Sequence, residues 1–165
     1  YMASATKNYA FALNGTASGV GSKALGGTAS GDYSLTSGQS VTASGTGAVA
    51  MGREATAQGN NSFALGYYVK ATGSQSFSMG MGSPPSLNPA TYNEANGVSS
   101  FALGQDNKSE ENGSITFGTG NTSNGLSATA LGFYNTATAA FSTVLGLMAL
   151  QQEIYTCGMQ QNLYL

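Results

Sequence analysis

A glycine returns at nearly constant intervals along almost the whole chain, each time directly after a stretch in which large apolar and small residues alternate. Most intervals are 12 or 14 residues long, and one is 24 residues long. A fixed period of this kind is typical of repeat proteins, in which each unit packs mainly on its neighbours. We therefore expect a solenoid. The repeat glycines, with Asn14 in the glycine's place in the first unit, are Gly26, Gly38, Gly52, Gly66, Gly80, Gly104, Gly118, Gly132, Gly146 and Gly158.

The residues before each glycine predict a β-strand. In units such as Phe63-Ala64-Leu65-Gly66, large and small side chains alternate with a period of two, which is the side-chain period of a strand. A second marker, Ala-x-Gly, precedes the next glycine by seven residues, as at 57–59, and predicts a second short strand in each unit. Two strands and two turns leave no room for a helix. The sequence thus predicts an all-β parallel roll of about eleven coils.

The same alternation leads us to expect that the large side chains point into the roll, with Lys23 doing so through its alkyl stem. We expect the repeat glycines at tight corners, where a left-handed backbone conformation excludes most side chains. The predicted core residues are Phe11, Leu13, Leu25, Val49, Met51, Phe63, Leu65, Phe77, Met79, Phe101, Leu103, Ile115, Phe117, Leu131 and Leu145.

Composition argues against several classes of function. Only 7% of the residues are charged and the net charge is -2, yet 41% are hydrophobic, so the chain is not typical of disordered proteins. The five Lys and Arg residues are scattered, which argues against a nucleic-acid partner. The sequence contains no run of eighteen apolar residues, which a membrane-spanning helix would need. The chain has no histidine, one cysteine and seven acidic residues, and the acidic residues form no pair at a repeated spacing. We therefore expect no enzyme, no metal and no cofactor.

The units at 59–66 and 97–104 resemble the head repeats of YadA-like trimeric autotransporter adhesins, with Asn-Ser or Ser-Ser before alternating apolar and small residues and a glycine. The resemblance extends over about residues 5–158 and is closest at 57–80 and 95–104. It implies a left-handed parallel β-roll and a homotrimer displayed on a Gram-negative cell surface. We expect residues 1–165 to form a single β-roll repeat domain.

The resemblance implies an extracellular adhesin head that attaches to host matrix proteins or to neighbouring copies. The alternative is a structural module of a phage tail fibre or of a self-assembling extracellular filament, since such fibres use the same roll. A homotrimer also has a physical reason, because a coil of some fourteen residues encloses only a small core. We expect three rolls to share contacts through their flat, small-residue faces, and the same faces to bind partners.

The interval of 24 residues contains an insertion at residues 81–94, which holds all three prolines of the chain. Proline cannot donate to a strand ladder, so the segment is expected to leave the roll as a surface loop. Exposed loops on rigid scaffolds often carry recognition, although an insertion without any partner is the alternative. Residues 106–111, which follow, are expected to form a solvated corner. The candidate partner-binding residues are Pro84, Pro85, Leu87, Pro89 and Tyr92.

Residues 147–165 have two incompatible interpretations, a last coil or the start of a stalk. Apolar residues at heptad spacing, from Leu147 to Cys157, would begin a coiled coil. A further coil would instead place Ala149 in the column of small residues and bury Cys157. Gly158 favours the coil, because glycine inside a helix costs about 1 kcal/mol relative to alanine.

Overall fold

The computed structural model of the protein describes residues 3–84 and 91–147, and the backbone of residues 150–151. These residues form twenty-one short β-strands and no helix. Successive strands alternate between two sheets, and every pairing within a sheet is parallel. The chain is therefore an all-β parallel solenoid of about ten turns, which confirms the fold class predicted from the repeat.

Sheet A contains the odd-numbered strands, which are β1 (Ser4–Ala5), β3 (Gly15–Ala17), β5 (Gly27–Ala29), β7 (Thr42–Ala43), β9 (Thr56–Ala57), β11 (Val69–Ala71), β13 (Asn93–Ala95), β15 (Lys108–Ser109), β17 (Thr122–Ser123), β19 (Thr136–Ala137) and β21 (Leu150–Gln151). Sheet B contains the even-numbered strands, which are β2 (Phe11–Ala12), β4 (Lys23–Ala24), β6 (Leu35–Gln39), β8 (Val49–Arg53), β10 (Phe63–Tyr67), β12 (Phe77–Met81), β14 (Phe101–Gln105), β16 (Ile115–Thr119), β18 (Thr129–Phe133) and β20 (Thr143–Leu147).

Equivalent residues of successive coils stand directly beside each other. Phe63 pairs with Val49 on one side and with Phe77 on the other, and this register continues along sheet B. Across the insertion, Phe77 pairs with Phe101 in the same register. The insertion therefore leaves the register of the strands on either side of it unchanged.

The interior of the roll is lined by small side chains. Ala50, Ala64 and Ala102 of sheet B are completely buried, and Val41 and Val69 are the largest apolar side chains that are completely buried among the described residues. Protein interiors are close-packed, so a core of alanine, serine and valine requires a narrow space between the two sheets. A phenylalanine has no room in it.

The prediction that the large side chains point into the roll is wrong. Leu13, Phe117 and Leu145 are 67%, 52% and 75% exposed, and none of the fifteen predicted core residues is buried. Lys23 is exposed as well. The alternation identified the two faces of each strand correctly, but both faces contain apolar residues. Side-chain volume decides which of them lies inside.

An asparagine ladder fills one interior corner in the second half of the roll. Asn93, Asn107, Asn121 and Asn135 are completely buried and stand in successive coils. The backbone N–H of each of the last three donates to the Oδ1 atom of the asparagine before it, at 2.9–3.0 Å. The side-chain amide groups donate to backbone carbonyls. This ladder satisfies buried polar groups that a purely apolar core would leave without partners.

The repeat glycines have a positive φ, as expected, but most of them lie within strands and not at corners. Those from Gly26 to Gly146 have φ values between 117° and 150°. Most lie within strands of sheet B and stack on each other from coil to coil. A Cβ atom on Gly66 would collide with the carbonyl oxygen of Gly80 in the next coil. Both the backbone conformation and the close approach of the coils thus require glycine.

Positive φ values between 52° and 60° occur at other residue types. Tyr68 has a φ of 52° and Asp106 a φ of 53°. Asn14 is not among the residues with positive φ. Gly158 lies outside the described residues.

At the C-terminal end, β21 pairs with β19, and Gln151 takes the place beside Ala137. The chain therefore continues the roll at 150–151, where a helical stalk was the alternative. The register differs from the prediction, which placed Ala149 in this column. Cys157 lies outside the described residues.

Candidate interaction surfaces

The insertion lies between two strands of the roll. β12 ends at Met81 and β13 begins at Asn93, so the predicted bounds of 81–94 include one residue of β12 and two residues of β13. Two of the five candidate partner-binding residues, Pro84 and Tyr92, are described, and both are half-buried. The other three, Pro85, Leu87 and Pro89, lie outside the described residues.

The carboxylate of Asp106 holds together the two ends of the insertion, at Ser83 and Thr91, which we call its neck. Asp106 accepts hydrogen bonds from the backbone N–H and the hydroxyl of Ser83, both at 2.8 Å, and from the hydroxyl of Thr91. The backbone N–H of Thr91 also donates to the carbonyl of Ser83 at 3.1 Å. Both ends of the insertion are thereby fixed to the corner of the following coil. The expectation that residues 106–111 form a solvated corner is wrong for Asp106 and for the buried Asn107.

Three tyrosines form a continuous group of rings beside this neck, which we call the tyrosine cluster: Tyr67, Tyr68 and Tyr92. The ring centroids of Tyr67 and Tyr68 are 4.6 Å apart at an interplanar angle of 83°. Those of Tyr68 and Tyr92 are 5.5 Å apart at 45°. All three residues are half-buried. The return of the insertion to the roll thus brings Tyr92 against a corner that already carries two aromatic rings.

A cation lies against each end of the tyrosine cluster. The guanidinium of Arg53 is 5.4 Å from the ring centroid of Tyr67, and the ammonium of Lys70 is 3.4 Å from that of Tyr92. Both distances fall within the range of cation–π attraction. Lys70 is also paired with the carboxylate of Glu94 at 3.5 Å.

The surroundings of Tyr68 favour the neutral form of its phenol. Loss of hydration raises the pKa of Tyr68 above its usual value. The neighbouring Tyr67 and the carboxylate of Glu54 act in the same direction, while Arg53 opposes them. Like any protonated tyrosine, Tyr68 has a hydroxyl group that can both donate and accept a hydrogen bond at neutral pH.

The outward side of sheet B is a second candidate surface, which we call the apolar face. Two columns of large apolar side chains run along it, with breaks at Lys23 and Ser37 and threonine in the last coils. The rings of Phe63, Phe77 and Phe101 stack in a row, with centroids 6.2 Å and 5.0 Å apart. The apolar face comprises Phe11, Leu35, Val49, Phe63, Phe77, Phe101 and Ile115 in one column and Leu13, Leu25, Met51, Leu65, Met79, Leu103, Phe117, Leu131 and Leu145 in the other.

The outward side of sheet A is polar. Thr16, Thr28, Thr42 and Thr56 stand in register in consecutive strands. Beyond them, the same column carries Lys70. The two faces of the solenoid therefore differ strongly in character, and only the outward side of sheet B presents a continuous apolar surface.

Among residues 3–84 and 91–147, no group of three or more His, Cys, Asp and Glu side chains is placed to hold a metal ion. The part of the chain that the structure describes has no helix long and apolar enough to cross a membrane.

Three segments of the chain, residues 43–68, 95–121 and 123–147, match a family model described as the YadA head domain repeat (2 copies). They lie on both sides of the insertion. No curated protein matches the chain.

Of the residues at these surfaces, the sequence analysis selected Tyr92 but missed Asp106, Tyr67 and Arg53. The repeat period could have revealed Tyr67 and Arg53, because these residues are fourteen positions apart and therefore occupy the same place in neighbouring coils.

Proposed function

We propose that the chain is a trimeric adhesin head displayed on a bacterial cell surface, because three of its segments match the YadA head domain repeat, an adhesin-type module. In this proposal it attaches the cell to host matrix proteins or to neighbouring heads. The observation that carries the proposal is the apolar face, which a single roll leaves in contact with water.

The apolar face is much larger than the scattered apolar residues of an ordinary protein surface. It extends over about ten coils, and many of its side chains, such as Met51, Ile115 and Phe117, are at least 39% exposed. Contiguous apolar patches of this kind mark interaction sites. Burial stabilises an assembly by roughly 25 cal/mol per Å² of apolar area, so a contact repeated in every coil becomes large.

Two further copies of the chain are the occupants that fit this face. Each copy offers the same ladder with the same coil spacing, so three rolls lying side by side can match coil to coil. The shared contacts then involve the large apolar side chains. The expectation of contacts through small residues is wrong, because those residues line the interior of each roll.

With the apolar faces turned towards each other, the polar side of sheet A and the corner with the insertion remain on the outside. We propose that a partner binds at the corner with the insertion. The residues that contact it in this proposal are Pro84, Pro85, Leu87, Pro89 and Tyr92. A rigid roll that holds a loop by its neck is a suitable support for recognition.

Sedimentation equilibrium tests the assembly. The expected mass is three times the 16.6 kDa of one chain, and a monomer at micromolar concentration would contradict the proposal. Attachment is tested with beads coated with the trimer, on surfaces carrying immobilised matrix proteins. Long filaments in electron micrographs of the concentrated protein, without attachment, would instead support the alternative of a self-assembling fibre module.

A further inference from the structure

We propose that the tyrosine cluster and Arg53 form a binding site for an acidic sugar, meaning a pyranose that carries a carboxylate or a sulfate group. This inference deepens the proposed function and rests on it for its biological setting, since it names the chemistry through which an attached head could recognise a surface.

The three rings provide the surface for the sugar ring. Tyr67, Tyr68 and Tyr92 are in contact with one another at different tilts and remain partly open to solvent. The C–H face of a pyranose is apolar and packs against an aromatic ring, while its hydroxyl groups need hydrogen-bond partners. None of the three phenolic oxygens hydrogen-bonds to another group in the described part of the chain. They are therefore available to the ligand as donors and acceptors.

Two cations, Arg53 and Lys70, and two carboxylates, Glu54 and Glu94, surround the cluster, and the one cation without an ion pair favours an acidic ligand. Arg53 is exposed, its guanidinium lies 5.4 Å from the ring centroid of Tyr67, and it makes no ion pair with any carboxylate among the described residues. Lys70, at the other end of the cluster, is already paired with Glu94. Arginine presents a planar fork of N–H groups that binds a carboxylate or a sulfate through two parallel hydrogen bonds. Cation–π attraction to the Tyr67 ring favours a position of that fork beside the aromatic surface.

The surrounding strands argue against an extended peptide as the ligand. β10 is paired on both sides, with β8 and β12, and β11 is paired with β9 and β13. No strand edge is free at this corner, so a peptide cannot bind by adding a strand to either sheet. A neutral proline-rich peptide could lie on aromatic rings, but it would leave Arg53 without an anion.

Calorimetric titration of the assembled protein tests the proposal. The probes are a heparin hexasaccharide, which carries sulfates and carboxylates, a hyaluronan hexasaccharide, which carries carboxylates alone, and neutral maltohexaose. At least one of the two acidic hexasaccharides is expected to bind. Comparison of their affinities shows whether carboxylate groups are sufficient for binding or sulfate groups are needed. Maltohexaose is expected to bind far more weakly.

Variants locate the site. Arg53→Gln and Tyr67→Ala are each expected to weaken binding by about tenfold or more, and Arg53→Lys to weaken it less, since it keeps the charge but loses the fork. Lys7→Gln is the matched control, because it removes an exposed positive charge in the first coil and is expected to leave binding unchanged. Thermal melting checks that each variant is folded.

Three results would overturn the proposal. The first is that neither acidic hexasaccharide binds. The second is an equal loss of affinity in Lys7→Gln and Arg53→Gln, which would indicate unspecific attraction of polyanions. The third is tight binding of an acidic or proline-rich peptide that Tyr67→Ala abolishes while the sugars do not compete.

The experiments distinguish a failure of the sugar site from a failure of the proposed adhesin function. If the trimer attaches to matrix-coated surfaces but binds no acidic sugar, the sugar site is wrong and the adhesin function stands. If Arg53→Gln abolishes sugar binding and attachment persists, the sugar site stands and attachment uses another surface. A monomer that binds acidic sugars at Arg53 would retain the site and contradict the trimeric head.

Discussion

The backbone N–H of Asn107 donates to the Oδ1 atom of Asn93 at 3.0 Å, across the boundary between two stacked coils. Both residues are completely buried. In earlier coils the same column holds Val41 and Val69, which are also completely buried. The roll thus fills one interior position in two ways, with an apolar side chain or with an amide that hydrogen-bonds to its neighbours along the axis.

Asn107→Val is expected to destabilise the protein by about 2–4 kcal/mol, even though valine is native at this position in other coils. The substitution removes the acceptor of the Asn121 N–H and the donor to the carbonyls of Leu103 and Gly118, and leaves these groups buried without partners. Denaturant unfolding measures the change. A variant as stable as the wild type would mean that the ladder contributes no net stability.

Two serines of one interior column give a matched pair. The Ser76 hydroxyl donates to the carbonyl of Gly73 at 2.6 Å, whereas the Ser100 hydroxyl is buried and has no partner among the described residues. Ser76→Ala is expected to cost about 1 kcal/mol, and Ser100→Ala to be neutral or stabilising. Alanine is native in this column at Ala48 and Ala128. Equal changes in melting temperature would contradict this assignment.

Gly66→Ala is expected to disrupt the roll locally and to lower the free energy of unfolding by several kcal/mol. The φ of Gly66 is 136°, and the new Cβ atom would collide with the carbonyl oxygen of Gly80. The neighbouring Ala64 offers a control, because Ala64→Gly only removes a buried methyl group and should cost less. Circular dichroism during thermal unfolding compares the two, and a milder effect at Gly66 would argue against the glycine stack.

Asp106→Asn is expected to loosen the neck of the insertion while the roll remains intact. The amide keeps the shape of the carboxylate but loses the charge that strengthens the hydrogen bonds from Ser83 and Thr91. Limited proteolysis should cleave between residues 82 and 92 several-fold faster, with little change in melting temperature. Glu111→Gln removes a nearby exposed carboxylate as the control. Unchanged cleavage would show that Asp106 does not hold the loop.

The sequence allowed the strands, the coil period and the parallel stacking to be predicted, because the glycines and the Ala-x-Gly marker fix the register. It did not reveal which face of each strand lies inside. Phe63 and Ala64 are both apolar, and only the narrow space between the sheets selects the alanine. The contact between Asp106 and Ser83 was also not foreseen, since the two residues are 23 positions apart and Ser83 lies in the insertion, where the repeat pattern is interrupted.

Phe117→Asp is expected to convert the trimer into folded monomers. Phe117 belongs to the apolar face and is 52% exposed in a single roll, so a charge there costs the isolated chain little but cannot be buried against another copy. The matched control is Tyr33→Asp, which places the same charge at a corner residue that is 70% exposed and outside the apolar face. Sedimentation equilibrium reports the mass, and circular dichroism reports the fold. A Phe117→Asp variant that remains trimeric would exclude the apolar face as the interface, and one that unfolds as a monomer would show that Phe117 stabilises the roll itself.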